Sequence, residues 1–293
     1  MNNLWNNLEK VIDSKNPYSY CYMYPSGDLD DTLLTSEKQI TQESIEYIRH
    51  LVSLGHHFII NTGRPFQGAL RFLKTLGIHE PMIVNNGSAI VYFDENYENI
   101  IDYHLFPMNI NKVKKFNHKI KHMINSGTVT SLFKFYSYDF SKVPFWIIHE
   151  GCGVEFVEGD IEHNLNTIPH ISEYLVKKEY EKEFEKILNQ KQFESFHYIK
   201  WGSFDDVVSF EIASKKASKG LAMEYLRKKY NIKKENTISF GDQLNDLSMI
   251  EMSNYGVAMI NSRTEVKEKA KYTSEFDFNN NGVISFLKNL FND

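Results

Sequence analysis

Short apolar runs alternate with amphipathic segments along the first third of the chain. The apolar runs predict strands, which are Tyr18–Tyr24, His57–Asn61 and Met82–Val84. The amphipathic segments predict helices between them, one from an N-cap at Thr41 to Gly55 and one over Pro65–Leu76. A strand-helix-strand-helix-strand order within about 70 residues favours parallel pairing with right-handed crossovers.

The last third of the chain repeats this alternation. A helix is predicted over Lys219–Tyr230, followed by strands at Thr237–Phe240 and Tyr255–Met259. A terminal amphipathic helix is marked by Val283, Phe286, Leu287, Leu290 and Phe291. Both ends of the chain therefore have the pattern of an α/β domain.

The middle of the chain, Ser88–Ile212, has a different pattern. Its predicted strands are Ala89–Phe93, Ile100–Phe106, Val129–Tyr136, Phe145–His149, Phe196–Trp201 and Val207–Ile212, and its helices lie near Asn111–Ile124 and Glu179–Asn189. Neighbouring strands with helices on one side are typical of an α+β domain. We therefore expect a core domain in two parts, 1–87 (with an N-terminal extension, 1–17) and 213–293, split by an α+β cap domain at 88–212.

Composition narrows the class of protein. The chain has 293 residues, 42% apolar and 24% charged, with a net charge of −5, which is enough to bury a core and excludes a disordered chain. Apolar stretches such as Val143–Ile148 are too short to span a membrane, and no basic stripe suggests a nucleic-acid partner. The two cysteines, Cys21 and Cys152, lack metal-type spacing and predict reduced thiols, and the N-terminus lacks a secretory pattern. We expect a cytoplasmic protein without membrane contact, and the sequence leaves its oligomeric state unknown.

Two acidic turns follow predicted strands. Asp28 and Asp30 lie in the segment DLDDT, and Asp242 and Asp246 lie in the segment GDQLND. In open parallel sheets ligands bind at the carboxyl ends of strands, and oxygen ligands suit Mg²⁺. Taken alone, the first turn is equally well explained as an acidic turn leading into a helix, and a helix cap adequately explains the second.

Two further segments could bind an anion. Thr62 and Gly63 open a helix after a strand, where free backbone N–H groups and the helix dipole favour negative charge. Lys219 begins another helix. Taken singly, the first is an ordinary N-cap and the second a solvated lysine.

Together, the four segments indicate one site. If their strands are neighbours, the carboxylates of Asp28, Asp30, Asp242 and Asp246 converge and would repel each other and any phosphate. A divalent cation removes that conflict, and Thr62 and Lys219 supply donors for phosphoryl oxygens.

This ordered set of motifs resembles the haloacid dehalogenase (HAD) superfamily, most closely its Cof-type branch of small-molecule phosphatases. The resemblance covers nearly all of the chain after about residue 18, including Gly256-Val257-Ala258-Met259 with Asn261, and Asn281-Gly282-Val283. It implies a Rossmann-like parallel-sheet core with an inserted α+β cap. It also implies Mg²⁺ as cofactor and a small phosphorylated metabolite as partner.

The resemblance also implies roles for individual residues. Asp28 would be the nucleophile that forms an aspartyl-phosphate, and Asp30 would be the acid and then the base. Asp28, the backbone carbonyl of Asp30 and Asp242 would hold Mg²⁺, with Asp246 behind them. The phosphoryl group would be bound by the Leu29 and Gly63 amides, Thr62, Lys219 and Asn245, and Arg64 is a candidate second anion contact.

Two positions depart from the family pattern. Asp31 stands where the family usually has Gly, so that turn needs an Asp in a conformation that Gly adopts more easily. Tyr24-Pro25-Ser26-Gly27 stands where the family keeps apolar strand residues. Because Pro lacks a ladder donor, this segment predicts a first strand that ends early or bulges, with Ser26 and Gly27 lining the pocket.

Three functions are consistent with this reading. The first is a Mg²⁺-dependent phosphatase acting on a sugar phosphate or similar metabolite. The second is a sugar phosphomutase that uses the same aspartyl-phosphate, and the third is a catalytically weakened regulatory protein that binds a phosphometabolite. Substrate choice would be decided by the cap, whose aromatics are more typical of a core than of a binding surface; they are Phe133, Phe135, Tyr136, Tyr138, Phe145, Trp146 and Trp201. His149 and His163 are weaker candidates for substrate contact.

Overall fold

The computed structural model describes residues 24–143 and 153–291. In this part of the chain the strands are β1 Tyr24–Gly27, β2 Ile59–Ile60, β3 Met82–Val84, β4 Ala89–Phe93, β5 Ile100–Leu105, β6 Ile124–Thr130, β7 Lys134–Ser137, β8 Glu155–Glu158, β9 Ile171–Lys177, β10 Phe196–Phe204, β11 Val207–Ser214, β12 Thr237–Gly241, β13 Tyr255–Ala258 and β14 Tyr272–Thr273. The helices are α1 Gln42–Ser53, α2 Phe66–Leu76, α3 Ile110–Ile120, α4 Ile161–Asn164, α5 Glu181–Leu188, α6 Lys219–Lys229, α7 Leu247–Met252, α8 Thr264–Lys269 and α9 Gly282–Phe291. The N-terminal extension, the predicted strand Phe145–His149 and both cysteines lie outside the described residues.

The described residues divide into two compact units. The first unit holds the residues up to Ile60, Thr75–Glu80 and those from Met223 onward, and the second holds Asn61–Lys74 and Pro81–Ala222. The predicted domain boundaries after residues 87 and 212 stay predictions. No helix among the described residues is long and apolar enough to cross a bilayer.

The first unit is built on a parallel sheet with the strand order β14-β13-β12-β1-β2. Every neighbouring pair in it is parallel, as the alternating pattern predicts. Its helix α1 begins as expected at Thr41, whose hydroxyl accepts from the Ser44 backbone N–H. The same hydroxyl donates to Asn281 Oδ1 at 2.6 Å, so the Asn281-Gly282 segment at the start of α9 is tied to α1.

The first strand does not end early. Through Gly27, β1 stays in register with β12, and Pro25 pairs with Ile238. On its other side β1 pairs with β2 only at Ser26 and Gly27. Pro25 lies outside that pairing, so its missing N–H costs no hydrogen bond to β2. The expectation of a shortened or bulged strand was therefore wrong.

The second unit contains a six-stranded sheet with the order β10-β11-β9-β6-β7-β8. Alternate residues on one of its faces form a core with α3 and α5, in which Phe116 and Phe184 pack against Tyr174 and Phe210. The neighbouring strands are antiparallel except β7 and β8. This is the predicted α+β pattern, with helices packed on one face of the sheet.

Two predicted elements in this unit have different boundaries. The segment predicted as one strand, Val129–Tyr136, is a hairpin, because Ser131 turns the chain and its backbone N–H bonds to the Lys134 carbonyl at 2.8 Å. The helix predicted to reach Ile124 ends at Ile120, and Ile124 begins β6.

The second unit also holds a smaller antiparallel sheet, β3-β4-β5, whose β4–β5 hairpin is as predicted. The strand Met82–Val84, expected to pair in parallel, does so at one bridge between Ile83 and Asn61. The turn Asn85–Gly87 then reverses the chain, so β3 pairs antiparallel with β4 and lies in this smaller sheet rather than in the five-stranded parallel one.

Candidate active site

Asp28 stands at the carboxyl end of β1, in the first unit. Its backbone N–H bonds to the Phe240 carbonyl of β12 at 3.2 Å, and its carboxylate Oδ1 accepts from the Leu29 N–H at 2.8 Å. Its carboxylate is almost fully buried, with 6% of the residue exposed. Because β1 is paired on both sides, by β12 and β2, it holds a buried and oriented carboxylate at the end of the sheet.

Asp242 and Asp246 come from the turn after β12, the strand beside β1. Asp246 Oδ2 accepts from the backbone N–H groups of Asp242 and Gln243, at 2.9 Å each, and so fixes the turn. Gly241 is required here, because a Cβ on it would lie 2.4 Å from the Asp246 side chain. Thr32 Oγ1 donates to Asp242 Oδ1 at 3.0 Å and orients the second carboxylate.

The three carboxylates of Asp28, Asp242 and Asp246 form one buried cluster. Their ligand oxygens lie within 4.8 Å of one another. Two unit charges 4.8 Å apart repel by about 3.5 kcal/mol at an effective dielectric of 20. An all-oxygen donor set of this charge fits a hard divalent cation such as Mg²⁺.

Asp30 lies apart from that carboxylate cluster. Its side chain is one-third exposed, and its Oδ1 is 3.0 Å from Lys38 Nζ. Asp31, where the family usually has Gly, has a φ of +55° and also faces Lys38, at 3.6 Å. The loop therefore does take the left-handed conformation expected at this position, and Lys38 balances part of its negative charge.

The loop after β1 is also tied to the end of β13. Asn261 Nδ2 donates to the Asp31 carbonyl at 2.9 Å, and Met259 N–H bonds to the Gly241 carbonyl at 3.0 Å. Gly256 fits against α7 only because it lacks a Cβ, which would lie 2.1 Å from the Ile250 carbonyl oxygen. The segment from Gly256 to Asn261 thus supports both acidic turns.

Thr62, Gly63 and Arg64 belong to the second unit, at the start of α2. Thr62 is buried, and its hydroxyl accepts from the Arg64 backbone N–H at 3.2 Å. The Arg64 guanidinium is 5.5 Å from the centre of the Phe72 ring, in cation–π distance. This local bond fixes the Thr62 hydroxyl beside the backbone that leads into α2.

Lys219 also belongs to the second unit and begins α6. It is fully buried, and its carbonyl accepts from Asn61 Nδ2 at 3.1 Å. Lys219 is therefore not a solvated surface lysine, and its role in binding phosphate stays a prediction.

Glu211 is a buried carboxylate that the sequence did not single out. It is 4% exposed, with Asn86 Nδ2 at 2.8 Å from Oε1 and Trp201 Nε1 at 3.2 Å from Oε2. Burial raises its pKa, opposed by these two hydrogen bonds and by the charge of Lys219. Burial and the Glu211 charge likewise raise the pKa of Glu173, its partner in register, to about 8.

The structure therefore assembles part of the predicted set directly. Asp28, Asp242 and Asp246 meet in the first unit, and Leu29 contributes an amide to them. Asn245 lies in the Leu244–Asp246 turn of the same unit. Thr62, Gly63, Arg64 and Lys219 lie in the second unit.

The cap aromatics are mostly structural. Phe135 and Tyr136 are buried, Tyr138 packs against the cap core, and Trp201 bonds to Glu211. Phe133 is instead more than half exposed. His163 is exposed, while Phe145, Trp146 and His149 lie outside the described residues.

Comparison with known proteins adds to this geometry. The family model described as haloacid dehalogenase-like hydrolase matches residues 27–287. Among curated relatives, the chain is 24% identical over 270 residues to the 5-amino-6-(5-phospho-D-ribitylamino)uracil phosphatase YitU of Bacillus subtilis, covering 90% of this chain and 96% of the relative. It is 25% identical over 283 residues to the phosphatase YwpJ of the same organism, covering 90% and 98%.

Solved structures agree on the fold. A haloacid dehalogenase-like hydrolase from Bacteroides thetaiotaomicron matches with a TM-score of 0.75 at 19% identity, over 92% of this chain and 100% of that one. The predictions of an α/β fold and of a phosphomonoesterase are confirmed at this level. From residue 27 to residue 287, the chain belongs to the family of haloacid dehalogenase-like hydrolases.

Proposed function

We propose that this hydrolase is a Mg²⁺-dependent phosphatase that cleaves a small phosphorylated metabolite, a sugar phosphate or a similar polyol phosphate, through an aspartyl-phosphate on Asp28. The observation that carries the proposal is the buried cluster of Asp28, Asp242 and Asp246, with Asp30 two residues after the nucleophile. The curated relatives, which are named phosphatases, support it.

In the first step a carboxylate oxygen of Asp28 attacks phosphorus, while the bond from phosphorus to the leaving oxygen breaks. The Leu29 N–H bond to Asp28 Oδ1 holds that carboxylate in one orientation, which lowers the entropic cost of attack. Asp30 gives its proton to the leaving alcohol.

In the second step Asp30 takes a proton from water, whose oxygen attacks the phosphorus of the aspartyl-phosphate. Inorganic phosphate leaves, and both Asp28 and Asp30 return to their starting state. One carboxyl thus serves as acid and then as base, which requires a group with access to water. The one-third exposure of the Asp30 side chain supports this assignment.

Asp28, Asp242 and the Asp30 carbonyl would hold Mg²⁺, with Asp246 fixing the turn that carries Asp242. When bound, the ion would neutralise the carboxylates and the charge of the phosphoryl oxygens. Thr62, the Gly63 amide, Lys219 and Asn245 would bind the phosphoryl group, with Arg64 as a further anion contact. Burial of Thr62 and Lys219 supports this role, because donors in a dry environment bind an anion more strongly. The Leu29 amide, expected in the same role, donates to Asp28 Oδ1 in this structure and would orient the nucleophile.

The test is phosphate release from an aryl phosphate by the whole chain. The Asp28→Asn variant, which removes the nucleophilic oxygen but keeps the shape, should lose at least about a thousandfold in kcat. Chelation should abolish activity and Mg²⁺ should restore it. Asp31→Asn is the matched control, since Asp31 is a neighbouring carboxylate outside the metal cluster, and it should keep activity within about threefold.

Turnover that survives Asp28→Asn or chelation would refute the proposal. The substrate class is tested separately, with a panel of phosphorylated sugars, polyols and nucleosides. A requirement for a bisphosphate activator would instead identify a phosphomutase.

A further inference from the structure

The turn Asn85-Asn86-Gly87, between β3 and β4, has an unusual backbone. Its three residues all have positive φ, at +50°, +50° and +86°. The left-handed conformation costs a residue with a Cβ about 1–2 kcal/mol, so contacts outside the turn must hold it. Neither asparagine was singled out by the sequence motifs.

One side of the turn contacts the Thr62–Gly63 segment. The Asn86 backbone N–H donates to the Thr62 carbonyl at 3.1 Å, and the Asn85 N–H donates to the Arg64 carbonyl at 3.0 Å. A Cβ on Gly63 would lie only 2.9 Å from Asn86 Oδ1. The Asn86 side chain therefore packs directly on the backbone that offers the Gly63 amide.

The other side of the turn contacts the backbone that carries Lys219. A Cβ on Gly87 would lie 2.1 Å from the Ser218 carbonyl oxygen and 2.7 Å from the Lys219 nitrogen. Only glycine permits this approach at its positive φ. The turn is thus wedged between the two segments that offer phosphate donors, both in the second unit.

Glu211 holds the Asn86 side chain in place. Its Oε1 accepts from Asn86 Nδ2 at 2.8 Å, which leaves the Asn86 Oδ1 toward Gly63. The carboxylate is buried, and it interacts electrostatically with Lys219. Glu211 is therefore bonded to Asn86, whose turn packs on the Gly63 backbone through Asn86 and on the Ser218–Lys219 backbone through Gly87.

We propose that Asn86 and Glu211 are positioning residues, which fix the Gly63 amide and the Lys219 ammonium for binding the phosphoryl group. The inference rests on the proposed function, which assigns that group to Gly63 and Lys219. Neither positioning residue touches the reacting atoms; each acts through a group that does. Replacing either residue would displace the groups that bind the phosphoryl group in the transition state, without removing a direct contact to the substrate.

The test uses Glu211→Gln, Asn86→Asp and the double variant. Asn86→Asp sets two carboxylates against each other, whereas the double variant restores the bond with donor and acceptor exchanged. Each single variant should lower kcat on an aryl phosphate at least tenfold with KM changed less than threefold, and weaken orthovanadate binding in calorimetry about tenfold. The double variant should recover at least half of the loss on a logarithmic scale.

The matched control is Glu173→Gln, the same change in the residue opposite Glu211 in register. It should leave kcat and orthovanadate affinity within twofold of the wild type. Single variants that melt like the wild type and keep both quantities within twofold would overturn the inference. So would a double variant no better than Asn86→Asp.

Failure of the proposed function has a different outcome. A wild-type chain that binds orthovanadate but releases no phosphate would refute the phosphatase. The orthovanadate affinities of the variants would still test the positioning roles. Phosphate release by the wild type therefore tests the proposed function, and the orthovanadate affinities of the variants test the positioning roles.

Discussion

At the residue scale, the acidic site depends on polar neighbours that no motif highlights. Thr32 directs its hydroxyl to Asp242, and Lys38 faces Asp30 and Asp31. The aspartates themselves could be predicted, because their spacing after apolar strands is visible in the sequence. Their neighbours could not, because a lone threonine or lysine has no distinctive spacing until the fold brings it close.

Replacing Thr32 by Val should weaken Mg²⁺ binding. The substitution keeps the shape of the side chain but removes the hydrogen bond that orients Asp242, and losing such an outer partner typically costs 10–100-fold in metal affinity. Titrations with Mg²⁺, followed by activity and by calorimetry, measure the Mg²⁺ affinity of each variant. Thr32→Ser keeps the hydroxyl and should stay within about threefold of the wild type; equal losses in both variants would contradict the explanation.

His170 should make folding stability fall at acid pH. It is fully buried beside Asn85, and burial lowers its pKa to about 4. Because the unfolded chain binds this proton near pH 6.5, stability from this group is complete above that pH and falls as the pH drops toward 4. At pH 5 the loss is about 2 kcal/mol relative to pH 7.

Urea unfolding at pH 7 and pH 5 tests this. The His170→Gln variant should lose about 2 kcal/mol less than the wild type between these two values. His163→Gln, at an exposed histidine, is the control and should follow the wild type. Identical pH dependence in all three proteins would show that His170 is not responsible.

At the element scale, most helices and strands follow from periodicity, and the exceptions have physical causes. The hairpin β6–β7 was read as one strand, because Ser131-Leu132-Phe133 carries no glycine or proline to mark its turn. The sequence pattern does not predict the strand β9, although β9 is paired with β11 and β6 inside the six-stranded sheet. Its Glu173 interrupts the apolar pattern, and that polar residue lies on the sheet face opposite the α3–α5 core, where polarity is tolerated.

The packing of β13 on α7 should be sensitive to one methyl group. Gly256→Ala would place a Cβ 2.1 Å from the Ile250 carbonyl oxygen, which is backbone and cannot rotate away, so we expect a loss of about 2 kcal/mol or more in the free energy of unfolding. Gly27→Ala is the control, because no described atom lies within 4 Å of a Cβ there. Chemical denaturation measures the free energy of unfolding of both variants. Equal values for Gly256→Ala and Gly27→Ala would contradict the expected clash.

At the scale of the whole molecule, the buried carboxylate cluster lowers stability, and we expect a bound cation to offset that loss. Three buried carboxylates repel one another without a cation, so Mg²⁺ at a hundred times its Kd should stabilise the chain by about 2.7 kcal/mol. The Asp242→Asn variant should lose most of this response. Thermal melts with and without Mg²⁺ measure it, with Asp206→Asn, at an exposed position of the second unit, as the control.

The fold class and the site were predictable from the sequence to different extents. Strand-helix alternation and the order of the motifs were enough for the parallel pairing of β1, β2, β12 and β13 and for the acidic turns after β1 and β12, but they did not predict that β3 pairs antiparallel with β4. Pro25 was misjudged, since the sequence does not reveal that β2 is too short to pair with it. Glu211 was overlooked because nothing local distinguishes a buried carboxylate in an apolar strand from an exposed one.

The three clustered carboxylates all belong to one compact unit, whereas the six-stranded sheet belongs to the other. For protein engineering, this division into two units allows turnover and Mg²⁺ affinity to be measured as separate properties. Under the proposed function, substitutions on the six-stranded sheet can be screened for new substrates, while Mg²⁺ affinity in the same sample reports whether the unit with the carboxylate cluster is intact. A variant of this sheet that loses turnover but keeps its Mg²⁺ affinity still has the carboxylate cluster, so its defect lies in the second unit.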